Sequence, residues 1–310
     1  MATTADGLYL NKYVDPQLLV ERRNYKADFM AVLGSVPQSA ITADGVRRNK
    51  LINNVQFKVN NSQDFTAAAM AGKNVIVPWE RYDTTPTSCT EEEIRYLAFD
   101  KRSQIRVKHN EAFQVGIRNH ILHKLAPANN TVAEMPVVLT TGTADSTGRL
   151  RLTYSDLVDY ATILKGLNLP NMEELYMVLC PQHMADLLLD EQAAKYFYDR
   201  NFYLDPVSGK VRSFMNLKFF ENNDTPYYNY TTKVKIAEGT TPAATDYQAS
   251  VFFYGPNTYY HIDSVKSLYS PETIDVKSAS PTSIYRTQTY GIVDRIEDYG
   301  VGAIISGKKA

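Results

Sequence analysis

The first recurring hydrophobic pattern in the chain is helical and spans residues 15–33. Asp15 is a residue type that caps helices, and Pro16 suits the first helical position, where no backbone N–H is needed. Apolar and long side chains then recur every three or four residues until Gly34, a residue type that commonly ends a helix. The pattern predicts an extended arm, a helix over residues 15–33 and a second short helix over residues 42–51.

The period changes to two at residue 54, because apolar residues alternate with polar ones at Val55, Phe57 and Val59. Alternation of this kind is typical of a β-strand with one buried face. A further strand is predicted over residues 74–82, and strand-like residues resume at Ile105 and Val107. Residues 54–108 are therefore predicted to form a long β-rich excursion with little core of its own.

An amphipathic helix is predicted over residues 110–125. Four apolar residues spaced four apart form one ridge along it: Phe113, Ile117, Ile121 and Leu125. Pro127 cannot continue a helix and predicts its end. Such a ridge is typical of a helix that packs one face on a core.

The middle of the chain alternates helix and strand. A helix is predicted over residues 152–167, a buried strand over residues 175–179, and another helix from Pro181 to Leu189, with an extension to residue 198 left open. Further strands are predicted at residues 211–220, 233–237 and 249–254, and between residues 259 and 305. The chain is therefore predicted to be a mixed α+β protein with one protruding excursion.

Composition narrows the possible classes. The 310 residues are 44% hydrophobic and 22% charged, with a formal net charge of −1. These values are typical of a globular protein and argue against a dedicated nucleic-acid binder. The first residues lack the features of a secretory signal, so we expect synthesis in the cytoplasm. The 22 tyrosines fit surfaces that become buried on assembly, but β-sheet propensity explains them equally well.

Candidate chemistry is sparse. Gly302, Gly307 and Lys308 have phosphate-loop spacing, but Lys309 stands where the motif needs Ser or Thr. His120 and His123 could share a metal on one helix face, but no further ligand follows at a matching interval. Asp156 lies in a predicted first helical turn, where the helix dipole explains a carboxylate. The sequence predicts no catalytic residue, cofactor or metal.

Trp79 precedes Asp83-Thr84-Thr85-Pro86-Thr87, and the segment continues with three glutamates at residues 91–93, the pair Asp100-Lys101 and the helix after His109. This combination resembles the major capsid proteins of tailed bacteriophages, particularly those of phages that infect Bacteroidetes. In that branch a strand with Asp-Thr-x-Pro-Thr leads to an acidic turn, an Asp-Lys pair and a helix. Residues 152–181 and the closing strands at 285–305 are also similar, so the resemblance covers most of the chain from about residue 55.

The resemblance implies the Hong Kong 97-like capsid fold. Residues 1–53 would be an N-terminal arm and residues 54–108 an extended β-hairpin loop. A peripheral domain would contain a spine helix at residues 109–129, and an axial domain would follow at residues 130–260. Residues 261–310 would return to the peripheral domain.

The resemblance further implies assembly and not catalysis. Copies of the chain would form the hexamers and pentamers of an icosahedral head shell around double-stranded DNA, which the shell would contact without sequence specificity. Portal and scaffolding proteins, and decoration or head-auxiliary proteins, would be the other partners, and no membrane would be involved. The virion is the implied location. Because the chain starts almost directly with the arm, we expect a separate scaffolding protein.

A long hairpin with few core residues is not stable alone, so it is expected to lie on a neighbouring subunit. Seven residues are the expected inter-subunit contacts: Trp79, Arg81 and Tyr82 on the loop, Asp100 and Lys101 at its base, and Tyr13 and Arg22 on the arm.

Three alternatives remain at this point. A bacterial nanocompartment shell of the encapsulin type shares the fold and encloses an enzyme. A tyrosine-rich carbohydrate-binding or carbohydrate-active protein belongs to a different class, and it would need a cleft with paired carboxylates. Another virion component, such as a tail or decoration protein, is the third.

Overall fold

The computed structural model describes residues 28–51, 57–62, 72–90, 101–190, 202–204, 211–214, 216–271 and 281–309. Its helices are α1 (Lys101–Leu125), α2 (Tyr154–Gly166) and α3 (Pro181–Leu189). Its strands are β1 (Gly34–Ser35), β2 (Ile41–Thr42), β3 (Gly45–Leu51), β4 (Gly72–Pro78), β5 (Glu80–Asp83), β6 (Thr87–Thr90), β7 (Val137–Leu139), β8 (Leu175–Leu179), β9 (Phe202–Leu204), β10 (Val211–Phe214), β11 (Leu217–Glu221), β12 (Tyr227–Asn229), β13 (Asp246–Tyr254), β14 (Thr258–Ile262), β15 (Lys266–Ser270), β16 (Thr282–Arg295) and β17 (Val301–Ile305).

A hairpin of β3 and β4 forms most of a three-stranded sheet with β2. The two long strands pair in antiparallel register from Gly45 opposite Pro78 to Leu51 opposite Gly72. The predicted helix over residues 42–51 is therefore wrong. Pairing with β4 satisfies the backbone groups of this segment, and that tertiary pairing overrides its local helical spacing.

A six-stranded sheet is built around the long strand β16. Both β5 and β14 pair with Gly291, so they lie on opposite edges of β16. By the same reasoning, β15 lies on the β14 edge and β6 on the β5 edge, and β1 pairs with β14. Residues 80–90 and 258–295 of the described chain therefore meet in one sheet, although they are far apart in sequence.

An eight-stranded sheet contains the largest core. Its order is β7-β17-β13-β8-β11-β10-β9, with β12 on β13. Every residue of β8 is buried, as the apolar run at residues 175–179 predicts. Every residue of β17 is buried as well. Apolar side chains of α2 and α3, including Leu157, Leu164 and Leu187, pack into the same cluster as Phe252 on β13.

The helix α1 packs against β16 of the six-stranded sheet. Its predicted ridge is confirmed, because Phe113, Ile117, Ile121 and Leu125 are all buried in one cluster. The helix starts nine residues before the predicted position 110, at Lys101, so the strand-like interpretation of Ile105 and Val107 is wrong. Ile105 and His109 extend the same four-residue spacing toward the N-terminus, and this spacing explains the longer helix.

The start signals of α2 and α3 are confirmed. Thr153 caps α2, and its side chain and that of Asp156 form a reciprocal capping box. The Asp156 carboxylate therefore serves helix initiation, as its position in the sequence predicts. Pro181 occupies the first turn of α3, where its missing N–H costs nothing.

Three other predicted strands are confirmed only in part or are wrong. The strand over residues 74–82 is present but broken at Trp79, between β4 and β5. Phe57 and Val59 do not lie in a strand, and residues 233–237 form an isolated bridge at Lys235. The predictions for residues 15–27, 91–100 and 191–198 lie outside the described residues.

The predicted segments do not follow the sheets closely. The hairpin strands start at Gly45, within the predicted arm, and residues 101–108 of the predicted loop belong to α1. Of the predicted return segment 261–310, β15 and β16 join the six-stranded sheet, whereas β17 pairs with β13 in the eight-stranded one.

Tyr160 presents a buried polar atom in the core of the eight-stranded sheet. Its hydroxyl has no hydrogen-bond partner among the described residues, and its ring packs edge-on against Phe252. We expect Tyr160→Phe to raise the free energy of unfolding by about 1 kcal/mol, because an unpaired buried hydroxyl is removed and the ring is kept. Tyr228→Phe is the matched control: that hydroxyl donates to Pro127 O at 2.5 Å, so its loss should destabilise. Urea unfolding that shows equal losses for both variants would contradict this account.

Candidate assembly surface at the base of the hairpin

Exposed apolar side chains lie on and beyond the hairpin. Phe57 is 91% exposed, Val59 is 71% exposed and Ile76 on β4 is 47% exposed. Single exposed apolar residues are common on protein surfaces, but a nearly fully exposed phenylalanine beside an exposed valine is unfavourable in water. The described residues of the chain leave these side chains uncovered.

Trp79 joins the hairpin to the rest of the subunit. Its indole N–H donates to Thr42 O at 3.0 Å, and its ring centroid lies 5.8 Å from that of His261. The side chain also packs on an apolar cluster that includes Val46 and Ile292. These contacts hold the start of β5 against the six-stranded sheet.

Tyr82 anchors β5 on the opposite side of the sheet. Its ring packs edge-on against His120 at 5.3 Å between centroids, and its hydroxyl donates to Glu80 Oε2 at 3.2 Å. Gly291 makes room for the ring, because a Cβ there would lie 2.4 Å from Tyr82 Cε2. Burial, together with the Glu80 carboxylate, raises the pKa of the Tyr82 hydroxyl, so it stays neutral.

Glu80 is the centre of a charged junction between β5 and α1. Lys124 Nζ lies 2.6 Å from Glu80 Oε1, and His120 Nε2 lies 2.7 Å from Oε2. The other ring nitrogen of His120 lies 2.8 Å from Glu238 Oε2. Burial alone raises the pKa of Glu80, but the hydrogen bonds from Lys124 and His120 outweigh it and lower the pKa.

His109 ties α1 to the turn that follows β5. Its Nδ1 lies 2.6 Å from Thr84 Oγ1 and its Nε2 lies 2.8 Å from Thr87 Oγ1. Thr84 Oγ1 also accepts from the backbone N–H of Thr287 on β16 at 2.9 Å, so one hydroxyl contacts both α1 and the six-stranded sheet. The ring packs edge-on against Tyr285, and burial lowers the pKa of His109. The segment Asp83-Thr84-Thr85-Pro86-Thr87 therefore positions the base of the excursion on the helix.

No protein-family model and no curated protein sequence matches the chain. The structure, however, is similar to phage capsid structures over nearly its whole length. The capsid of Cyanophage P-SCSP1u has a TM-score of 0.66 at 14% identity, covering 96% of this chain and 93% of that one. The mature capsid of bacteriophage PhiM1 has a TM-score of 0.65 at 13% identity, covering 94% and 91%. The chain has the Hong Kong 97-like capsid fold.

A structure from Mycobacterium phage Che8 shows the same capsid fold at a TM-score of 0.63 and 12% identity, and 97% of this chain and 98% of that one are covered. The expectation of this fold from the sequence resemblance is therefore confirmed. At these identities the likeness establishes the fold, and function requires a separate argument.

The structure describes four of the seven expected contact residues and places them in different environments. Trp79 and Tyr82 are partly buried within the subunit, and Lys101 at the start of α1 is 8% exposed. Arg81 has a 60% exposed side chain and forms an ion pair with Asp83 at 2.7 Å. The other three lie outside the described residues: Tyr13, Arg22 and Asp100. A role for any of the seven in subunit contacts stays a prediction.

No local sequence pattern connects His120 with Glu80 and Glu238, because they lie 40 and 118 residues away from it. The contact of His109 with Thr84 and Thr87 could have been suspected from the sequence, because all three residues belong to the segments that carry the family resemblance. The alternating sequence pattern predicts a strand at Phe57 and does not indicate that its ring is exposed.

The enclosed serine–histidine contacts in this capsid fold offer no reaction site. His183 lies between Ser250 Oγ at 2.7 Å and Ser306 Oγ at 2.9 Å, but all three residues are completely buried.

In the described part of the chain, no three His, Cys, Asp or Glu residues are grouped to hold a metal. His123 instead bonds Ile236 O at 2.8 Å. None of the described helices is long and apolar enough to span a membrane.

Proposed function

We propose that the chain is a structural protein that self-assembles into hexamers and pentamers and forms the icosahedral head shell of a tailed phage. The observation that carries this proposal is the capsid fold over more than nine-tenths of the chain. The hydrophobic exposure of Phe57 and Val59 supports it, because these side chains need a partner surface.

The sheets and helices support an assignment of the parts of the proposed shell subunit. We assign the extended loop to the β3–β4 hairpin, the spine helix to α1, the peripheral domain to the six-stranded sheet and the axial domain to the eight-stranded sheet. Axial domains would surround the centre of each ring, and hairpins and arms would overlap adjacent subunits. Head-to-tail contacts of this kind close into rings when the rotation between subunits permits it.

The role is structural and not catalytic. The polar clusters at the hairpin base consist of residues that hold β5 and its following turn onto α1, such as Glu80 with Lys124 and His109 with Thr84. Hydrogen bonds and ion pairs of this sort fix the orientation of a protruding element. A contact between neighbouring subunits of a shell needs such a fixed orientation.

The virion is the proposed location, after synthesis in the host cytoplasm. Portal and scaffolding proteins, and decoration or head-auxiliary proteins, would be partners of the assembled shell. Packaged double-stranded DNA would contact the inner surface without sequence specificity, which agrees with the formal net charge of −1. The nanocompartment and carbohydrate alternatives are not favoured, because the solved structures described above come from phages.

Phe57→Asp is expected to lower the assembled fraction of the protein at least tenfold while leaving the subunit folded. A charge at this position cannot be buried against a neighbour without a large desolvation cost, whereas the free subunit loses no packing at a 91% exposed site. Analytical ultracentrifugation of the purified chain, with a candidate scaffolding protein where required, measures the assembled fraction.

Thr241→Asp is the matched control, because it adds the same charge on an exposed loop. This control should assemble as the unmodified chain does, and circular dichroism should show both variants folded. Normal assembly of Phe57→Asp would remove the hairpin from the proposed interface.

A further inference from the structure

His120 lies between two carboxylates that belong to different parts of the chain. Its Nε2 is 2.7 Å from Glu80 Oε2 on β5, and its Nδ1 is 2.8 Å from Glu238 Oε2 on the loop that precedes β13. A carboxylate oxygen only accepts hydrogen bonds. Both contacts are therefore satisfied together only when both ring nitrogens carry a proton.

Loss of that proton leaves the ring with one N–H and one lone pair. The nitrogen with the lone pair would then face a carboxylate oxygen at hydrogen-bond distance with no hydrogen between them. Two electron-rich atoms at that separation repel, so one of the two contacts must open. The structure indicates which one.

Glu80 is held in place by other groups. Lys124 Nζ binds its Oε1 at 2.6 Å and the Tyr82 hydroxyl donates to its Oε2 at 3.2 Å. Glu238 has a 45% exposed side chain, and His120 is its hydrogen-bond partner among the described residues. Deprotonation should therefore release Glu238 and leave the contact with Glu80 intact.

The loop around Glu238 lies on the surface of the molecule. Residues 237–242 are exposed, and Gly239 has φ of +79°, a conformation that suits glycine. The preceding residues are fixed separately, because His123 Nε2 donates to Ile236 O and Lys235 Nζ donates to His123 O and Ala126 O at the end of α1.

We propose that Glu80, His120 and Glu238 form a proton-operated latch that holds loop 237–242 against α1. The protonated ring closes the latch, and its deprotonation frees the loop. The same loop lines a cavity of about 270 Å³ whose other walls include Asn119, His123 and Thr225, so release changes access to this cavity. The latch lies within one chain and does not depend on the proposed function.

Other charged groups at the junction do not reproduce this behaviour. Lys124 forms an ion pair with Glu80 at 2.6 Å. The pKa of Tyr82 is raised, so that hydroxyl stays neutral. Burial lowers the pKa of His123, and its ring is satisfied by a single donation to Ile236 O. Burial also lowers the pKa of Lys235 to about 8, so its titration has to be separated from that of His120.

The test measures amide hydrogen exchange of residues 237–241 in the full-length chain, relative to the intrinsic exchange rate at each pH. Selective histidine labelling and nuclear magnetic resonance first locate the pH at which His120 titrates. We expect protection of the loop to fall at least fivefold between the acid and alkaline sides of that transition. Lys235→Arg removes the lysine titration and should retain the same fall.

Glu238→Gln is the decisive variant, because an amide accepts from the protonated ring and donates to the neutral one. Its loop protection should change less than twofold across the same transition, and His120→Gln should likewise flatten it. Unchanged protection in the unmodified chain while His120 titrates, or an equal fall in Glu238→Gln, would overturn the latch.

Discussion

Asp186→Asn is expected to lower the free energy of unfolding by about 3 kcal/mol. The Asp186 carboxylate binds the Arg149 guanidinium through two hydrogen bonds of 2.6 and 2.8 Å, and it also accepts from the Leu152 backbone N–H at 3.1 Å. Both side chains are buried, with 9% of Arg149 and 3% of Asp186 exposed. The substitution keeps the shape but leaves the arginine charge in the core without its main counter-charge.

The comparison with Asp145→Asn tests this explanation. Asp145 binds the same arginine through Nε at 3.0 Å, but its side chain is twice as exposed as that of Arg149, so water can replace part of the contact. We expect a loss of about 1 kcal/mol for that variant. Urea unfolding of the full-length chain measures both. Equal losses for the two variants would show that burial does not decide the cost.

Acidification from pH 7 to below pH 4 is expected to cost the fold about 3 kcal/mol through His183. Burial lowers the pKa of His183 to about 4, from an ordinary value of 6.5. The folded chain binds this proton less readily than the unfolded chain does. The contribution of His183 to stability is therefore complete above pH 6.5 and is lost as the pH falls from 6.5 through 4.

His183→Gln removes this titration, so the slope of stability against pH between 6.5 and 4 should become shallower. Glutamine can still donate and accept toward Ser250 and Ser306, which His183 bonds in the core. An identical slope in the chain with and without His183 would mean that its ring takes up a proton over the same pH range in the folded and the unfolded chain.

Much of the fold could be predicted because local patterns and tertiary packing agree. The ridge Phe113, Ile117, Ile121 and Leu125 predicts α1, and the apolar run at residues 175–179 predicts β8. The segment 45–51 could not be assigned locally, because its strand geometry comes from pairing with β4, 21 to 33 residues further along. Residues that pair at such distances carry no short-range period.

The candidate site was predictable only in part. The sequence indicated Trp79 and Tyr82 but not that the subunit itself surrounds them with Thr42, His261 and His120. Aromatic residues suit both interfaces and cores, and composition does not separate the two. Phe57 shows the reverse error. The alternating pattern suggested that it lies on a buried strand face, but the structure leaves the ring exposed.

Cryo-electron microscopy of the purified, assembled chain tests the central claim most directly. The proposed function predicts closed shells built from rings of six and five subunits, in which Phe57 is buried against a neighbouring copy. A chain that remains monomeric at high concentration with its scaffolding partner present, or shells in which the hairpin contacts no neighbour, would contradict it.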